Sequence, residues 1–458
     1  MNENPLGAKP ISKLLPSFAI PSVIAMLVTA AYNIVDQLFI GQMVGTLGNA
    51  ATNIAFPLTS SCIAIALMFG IGASANFNLH MGMGKKKEAP FFIGNAVTML
   101  IICGAVLMVV TEIFLTPMMI AFGSTETILP YAQDYVRITA IGFPFMILAA
   151  GGAHIIRADG SPKYSMVCNI TGAIINTALD ALFTVVLKWG IAGAAYATII
   201  GQIVSALLVI VYLRHYKTVR LEKQHFKPSG SVIKSIAQIG MAPCINQLTF
   251  IAVQISLNQL FKYYGPLSQF GADIPIACSG ITMKTFQLFF AVVIGIAQGA
   301  QPIESFNYGA RKYERVKKTY IYALIASSIC MVIAFIIFQF FPRQLLMMFD
   351  SHASEEYYVF GEMFFRTFLF MTWACAIQPT TTTLFSAIGK AKISTFLSLT
   401  RQILFFLPVL YILPMFMGIY GMLYAGIVAD VAAAVISTLF VVREFRKMTE
   451  AAAAQPSA

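Results

Sequence analysis

Apolar residues run along this chain in long blocks, and polar residues gather between the blocks rather than alternating within them. A helix needs about 20 consecutive apolar residues to cross a bilayer. Twelve stretches reach that length: 14–40, 49–81, 89–116, 129–157, 162–187, 191–213, 232–262, 273–307, 314–341, 355–388, 392–416 and 419–442. All are too long for strands, and their Gly and Pro are tolerated in membrane helices. The pattern predicts an all-α integral membrane protein with twelve transmembrane helices. The longest spans are expected to tilt or to extend into water.

Composition agrees. The chain has 458 residues, 58% hydrophobic and 11% charged, where a soluble domain has about 25% charged residues. The seven Cys fall in or at apolar segments with no CxxC pair, so they read as small buried hydrophobes. The opening MNENPLGAKPISK lacks a short apolar core and cleavage site, so no removable signal peptide is expected. The ending AAAAQPSA has no periodicity, and 448–458 is expected to be a disordered tail. There is no HExxH motif and no cluster among His80, His154, His215, His225 and His352, which argues against an enzyme. No cofactor is called for, and nothing reads as a channel filter.

The Lys and Arg residues fix an orientation. With the amino terminus inside, inner loops and the tail collect 23 of them, and outer loops hold only Lys188, Lys262 and Arg343. That asymmetry places both termini in the cytoplasm. It also explains the net charge of +11 as membrane orientation rather than nucleic-acid binding. The bacterial cytoplasmic membrane, multi-pass, is the expected location, and the chain is read as a monomer.

The chain repeats itself. WGIAGAAYATIIGQ (189–202) matches MGIYGMLYAGIVAD (417–430) at an offset of 228. RADGSPKYS (157–165) matches SAIGKAKIS (386–394) at 229, and IPSVIAMLVTAAYNIVDQLF (20–39) matches APCINQLTFIAVQISLNQLF (242–261) at 222. The order implies a first lobe of six spans over 1–213, a basic cytoplasmic linker over 214–231, and a second lobe of six spans over 232–447. Parallel repeats of this kind are common in secondary transporters, with a cavity between the halves.

The repeats differ where chemistry is concerned. Asp36 stands opposite Asn258, Asp180 opposite Val409, and Thr198 opposite Gly426. Asp180 and Thr198 lie nine residues either side of Trp189, in the outer turn between spans 5 and 6. Both therefore sit about 13 Å below that turn. Asn176 is four residues before Asp180, on the same helix face. Asp36 lies about nine residues below the turn around Gly45. Asp36, Asn176, Asp180 and Thr198 thus converge in depth. Two carboxylates, an amide oxygen and a hydroxyl suit a hard cation such as Na+, and the carboxylates alone could carry H+.

In order along the chain, YNIVDQLFIG, the GxG inner loop after span 2, RADGSPKYSM, INTALDALF and GIAGAAYATI resemble motifs of the MATE (multidrug and toxic compound extrusion) family, most closely its MepA-like bacterial branch. The resemblance implies two pseudo-symmetric six-helix lobes of the MATE/MOP superfamily fold. It implies export of lipophilic, often cationic drugs against Na+ or H+, with a first-lobe cation site falling on Asp36, Asn176, Asp180 and Thr198. It also implies gating by bending near Pro21. Second-lobe acids on spans 7 and 10, found in another branch, are not matched here.

Span 7 sets Gln247, Gln254 and Asn258 on one helical face, and span 8 sets Met283, Gln287, Gln298 and Gln301 on another. These are candidates for an uncharged, adaptable drug lining, or for hydrogen bonds between helices. Pro16 and Pro21 should bend span 1, because neither has an amide to donate. His154 and Arg157 are expected to meet water or lipid phosphate at the inner end of span 4. Glu112 and Glu304 are expected near helix ends, and Glu362 and Arg366 as a structural pair. Asp430 is a candidate second proton or substrate site. The rival reading is a flippase for lipid-linked oligosaccharide or lipid in the same superfamily, which the acidic charges in the first lobe disfavour.

Overall fold

The computed structural model describes residues 4–43, 45–271, 273–349 and 354–453. Among these there is no strand. The main helices are α1 (Ile11–Met43), α2 (Thr46–Gly82), α3 (Ala89–Ile113), α4 (Leu129–Ile141), α5 (Phe143–Ala158), α6 (Pro162–Asp180), α7 (Gly190–Arg214) and α8 (Gly230–Tyr264). They continue with α9 (Asp273–Gly309), α10 (Tyr313–Phe340), α11 (Glu355–Phe368), α12 (Ile377–Ala387), α13 (Ala391–Leu399), α14 (Leu407–Met417) and α15 (Ile419–Ala453).

Among the described residues, ten spans are long and apolar enough to cross a membrane, or eleven when α4 and α5 are taken as one bent span. The two departures from twelve straight spans have local causes. The fourth predicted span bends by 56° between α4 and α5. Pro144 follows the bend and cannot donate to the carbonyl four residues back. The predicted span 355–388 breaks between α11 and α12 around a single 3-10 turn, Thr372–Ala374. Thr372 Oγ1 caps the carbonyl of Leu369 at 2.6 Å, and Pro379 stands just inside α12. Polar side chains take over the backbone groups that the broken helix frees.

Pro16 and Pro21 both lie inside α1, which is helical across them. The tail differs from expectation. Helix α15 runs on to Ala453, so 448–453 are helical rather than disordered, and 454–458 lie outside the described residues. Lys447 and Glu450 keep that last stretch polar on one side while Met448 is buried against the core.

The connection between the halves is strapped down. Asp159, from the RADGSPKYS motif, accepts from Tyr212 Oη at 2.8 Å, from the Lys217 amide at 2.6 Å, and from the amide and hydroxyl of Thr218. Burial pushes its carboxyl up from the ordinary value, and these donors hold it back. Farther on, Asn95 of α3 donates to the His225 carbonyl at 3.0 Å and accepts from the Ser229 amide at 2.7 Å.

The halves meet through glycines. A Cβ on Gly240 of α8 would lie 1.8 Å from the Met68 carbonyl oxygen of α2, and one on Gly72 would lie 2.1 Å from that of Ile236. Gly295 and Gly299 of α9 meet Val23 and Ala19 of α1 in the same way. Small residues let helix backbones approach where larger ones would hold them apart. These crossings fall toward the ends of α1, α2, α8 and α9 that carry the basic loops, so the lobes are joined there. Asn76 and Ser235 add a hydrogen bond of 3.0 Å across the same junction, and Gln301 donates to the Ile71 carbonyl at 3.2 Å.

Candidate cation site between α1, α6 and α7

Helices α6 and α7 are drawn together one turn from the polar residues. A Cβ on Gly201 would lie 2.7 Å from the Gly172 carbonyl oxygen, and Ser205 Oγ donates to the Cys168 carbonyl at 2.9 Å. This approach lets Asn176 Nδ2 reach Thr198 Oγ1 at 3.2 Å. Helix α1 packs along α6 and brings Asp36 to the same place. Beyond Asp180 the chain widens into a π-helical segment, Ala181–Val186, a feature frequent at functional sites. Thr184 Oγ1 donates to the Asp180 carbonyl at 2.5 Å, so the wider turn leaves that group satisfied.

Asn176 and Asp180 are buried at 2% and 0% exposure. The Asp36 and Asp180 carboxyl groups face each other. Asp36 Oδ1, Asn176 Oδ1 and both Asp180 carboxylate oxygens are buried without a hydrogen-bond partner. Orphaned buried acceptors are rare because each costs about 1–3 kcal/mol. Three side chains together leave four such acceptors, and oxygens of this kind are chemically able to accept a cation or protons. The donor set is oxygen only, which suits a hard monovalent ion. No group of three or more His, Cys, Asp or Glu suited to a metal ion occurs among the described residues.

Two tyrosines complete the surroundings. Tyr32 of α1 and Tyr135 of α4 both lie within electrostatic reach of Asp36 and Asp180, and within hydrogen-bonding reach of Thr198. The sequence reading missed them. Tyr32 carried a usable signal, since it stands four residues before Asp36 on the same helix face.

The other candidates fall in several places. Gln254 Nε2 donates to Asn258 Oδ1 at 3.3 Å along α8, where Asn258 is exposed and Gln247 half-buried. Met283 is half-buried and Gln287 exposed on α9. Gln298 and Gln301 are buried and tie the lobes together, Gln298 by accepting from Arg157 Nη2 at 3.2 Å. Pro21 is buried within α1. The expectation that Arg157 and His154 meet water or lipid phosphate is corrected. Arg157 is 2% exposed and bonds Ser165, His154 and Gln298. Asp430 is paired: Arg401 Nε lies 2.6 Å from Oδ1, and Cys375 Sγ lies 3.2 Å from Oδ2.

The family model for MatE matches residues 21–182 and 264–412, which is more than half of the chain and includes Asp36, Asn176 and Asp180. The chain belongs to the MatE family. It is accordingly a multi-pass membrane transporter and not an enzyme. Among its relatives is "Multidrug export protein MepA" of Staphylococcus haemolyticus, 21% identical over 437 residues, covering 95% of this chain and 94% of the relative. Another is "FAD transporter" of Shewanella oneidensis, 25% identical over 434 residues, covering 92% of each. The fold superposes with a TM-score of 0.90 on a structure described as the outward-facing conformation of a multidrug resistance MATE family transporter of the MOP superfamily. That match is 21% identical and covers 98% of this MatE chain and 99% of the other.

Proposed function

We propose that this MatE transporter is a secondary active multidrug exporter. It exchanges lipophilic cationic drugs for Na+ or H+ by alternating access of its two lobes. The coupling ion binds at Asp36, Asn176, Asp180 and Thr198, and no other cofactor is needed. The observation that carries this reading is the cluster of orphaned oxygens. Two acids facing each other in a dry site need a positive partner. A coupling ion and a cationic drug can each supply it, and competition for that charge is itself a coupling device.

The junction of the lobes at the basic-loop end supports an outward-facing state. The split of Lys and Arg supports cytoplasmic termini in a bacterial cytoplasmic membrane. The relatives named as multidrug exporters support the substrate class, and the relative named as an FAD transporter sets the rival outcome.

The test is transport by the purified protein in proteoliposomes, with Na+ and pH gradients imposed separately and ethidium and FAD as substrates. Ethidium movement under one gradient, lost in Asp36→Asn and Asp180→Asn variants that still fold, is expected. Movement of FAD but not ethidium would overturn the cationic-drug reading, and transport surviving both variants would overturn the site.

A further inference from the structure

The strap between the lobes closes one side of a cleft of about 460 Å³ at the basic-loop end of the first lobe. Sites for small ligands fall in the range of about 300–1,000 Å³. Lys86 and Lys87, from the loop between α2 and α3, line one wall. Arg220 and His225 of the strap line the other, and Phe91 of α3 completes the lining.

The strap wall is fixed at both ends. Asp159 holds the amides of Lys217 and Thr218 before Arg220, and Asn95 and Thr98 of α3 donate to the carbonyls of His225 and Phe226 after it. Val219 and Leu221 pack against the core, and Arg220 between them is exposed. The His225 ring meets Phe91 edge to face at 4.8 Å between centroids. Its Nδ1 accepts from the Glu222 amide at 2.9 Å, which puts the ring hydrogen on Nε2. His225 is only 6% exposed, and Nε2 has no partner among the described residues.

The cleft carries a surplus of positive charge. Lys86, Lys87 and Arg220 are exposed, and none has a carboxylate partner among the described residues. Glu88, next to Lys87, is engaged by Lys85 at 3.4 Å and lies 3.8 Å from His80. Glu222 is the one acid among the described lining residues, and Gln224 Nε2 donates to it at 2.7 Å. Helix α3 starts at Ala89, so its positive end adds to the same charge.

The phase of α3 decides which way the cleft faces. Asn95 and Thr98, which hold the strap, share one helical stripe with Ile102, Val106, Val109 and Ile113. Those four are 43–67% exposed on a membrane-spanning helix, so the stripe faces lipid. The strap therefore lies on the bilayer-facing perimeter, at the end of α3 where lipid phosphates begin.

We propose that this cleft binds the phosphate of an anionic phospholipid and that the bound lipid clamps the strap to α3. Lys86, Lys87 and Arg220 supply the counter-charge, and His225 Nε2–H is a directed donor. The acyl chains run along the stripe from Ile102 to Ile113. A zwitterionic lipid brings its own cation to the phosphate and gains less. Each basic residue at a membrane surface is worth about fivefold in affinity for anionic lipid. The cleft is separate from Asp36 and Asp180 and does not depend on the exporter reading.

The experiment is native mass spectrometry of the full-length protein in detergent, titrated with dioleoylphosphatidylglycerol or dioleoylphosphatidylcholine. The first phosphatidylglycerol is expected to bind at least about tenfold more tightly than the first phosphatidylcholine. The triple variant Lys86→Gln, Lys87→Gln, Arg220→Gln is expected to lose that preference. A charge-matched control on other exposed basic residues, Lys392→Gln, Arg446→Gln, Lys447→Gln, is expected to keep it. A cleft variant that keeps the preference, or a control that loses it equally, overturns the proposal. Hydrogen exchange of wild type in nanodiscs separates the sources of phosphate and decides alone if the cleft variant does not fold. Adding phosphatidylglycerol to a phosphatidylcholine bilayer is expected to slow exchange several-fold over 219–226, relative to the basic loop at 308–314. Millimolar glycerol 3-phosphate without phosphatidylglycerol is expected to leave it unchanged. No slowing by the lipid overturns the proposal, and equal slowing by glycerol 3-phosphate overturns the lipid assignment in favour of a soluble phosphate. Neither readout involves transport.

Discussion

Asn176 Nδ2 lies 3.2 Å from Thr198 Oγ1, and this bond decides which end of the amide is left free. With its nitrogen engaged by Thr198, Asn176 keeps a buried oxygen with no hydrogen-bond partner, as do Asp180 and Asp36. Thr198→Ala removes the acceptor and lets the amide rotate. The expected result is a roughly tenfold higher half-saturating concentration of the coupling ion, the worth of about 1.4 kcal/mol. Thr198→Ser keeps the hydroxyl and should stay close to wild type. Ion titration of transport in proteoliposomes checks both, and an Ala variant equal to wild type would show that the bond plays no part in ion binding.

Asp159 anchors the strap between the lobes by accepting from Tyr212, Lys217 and Thr218. Asp159→Ala leaves those donors without a buried acceptor. A loss of about 1–3 kcal/mol of local stability is expected. Trypsin cleavage at Lys217, Arg220 and Lys223 should then be at least several-fold faster, because proteolysis tracks the population of the open segment. Timed digestion followed by mass spectrometry of the fragments measures this, with the helices themselves as the uncut internal reference.

Gly240 is the tightest contact between the lobes, with only 1.8 Å between a built Cβ and the Met68 carbonyl oxygen. Gly240→Ala cannot be accommodated unless α2 and α8 separate. Overpacking of this kind costs about 1–3 kcal/mol, enough to shift a two-state equilibrium by roughly tenfold or more. The variant should lose exchange protection over 68–82 and 232–242 relative to wild type. Unchanged protection would mean that the backbone relaxes locally without parting the lobes.

How much of this was legible beforehand follows from what a linear pattern records. Span length is a property of one segment, so the long apolar runs could be read directly. The depth of Asp180 relative to Thr198 depended only on counting from Trp189, and their shared neighbour Asn176 was accessible by the same count. The break between α11 and α12 was not legible, because Thr372 and Cys375 satisfy backbone groups that a hydropathy reading assumes to be paired within a helix. The burial of Arg157 was hidden for a related reason. Its partners Ser165 and Gln298 are 8 and 141 positions away, and nothing in the local sequence signals the second.

The Arg401 and Asp430 pair separates a structural acid from a functional one. Arg401 Nε is 2.6 Å from Asp430 Oδ1, with Asp430 buried and the Arg401 side chain 25% exposed. Removing one member leaves the other charge uncompensated, which in a buried pair costs about 3–5 kcal/mol. The partial exposure of Arg401 places Asp430→Asn near the low end, about 3 kcal/mol. Replacing both with apolar residues of similar size, Arg401→Met with Asp430→Leu, removes the charge and its counter-charge together and should recover most of that loss. Thermal unfolding in detergent measures the stability of all three proteins. Ethidium transport by the double variant then gives the role: activity close to wild type assigns the pair to holding α15 against the π-helical segment at Thr400–Phe406. A stable but inactive double variant would instead place Asp430 on the path of ion or substrate, despite its pairing in this state.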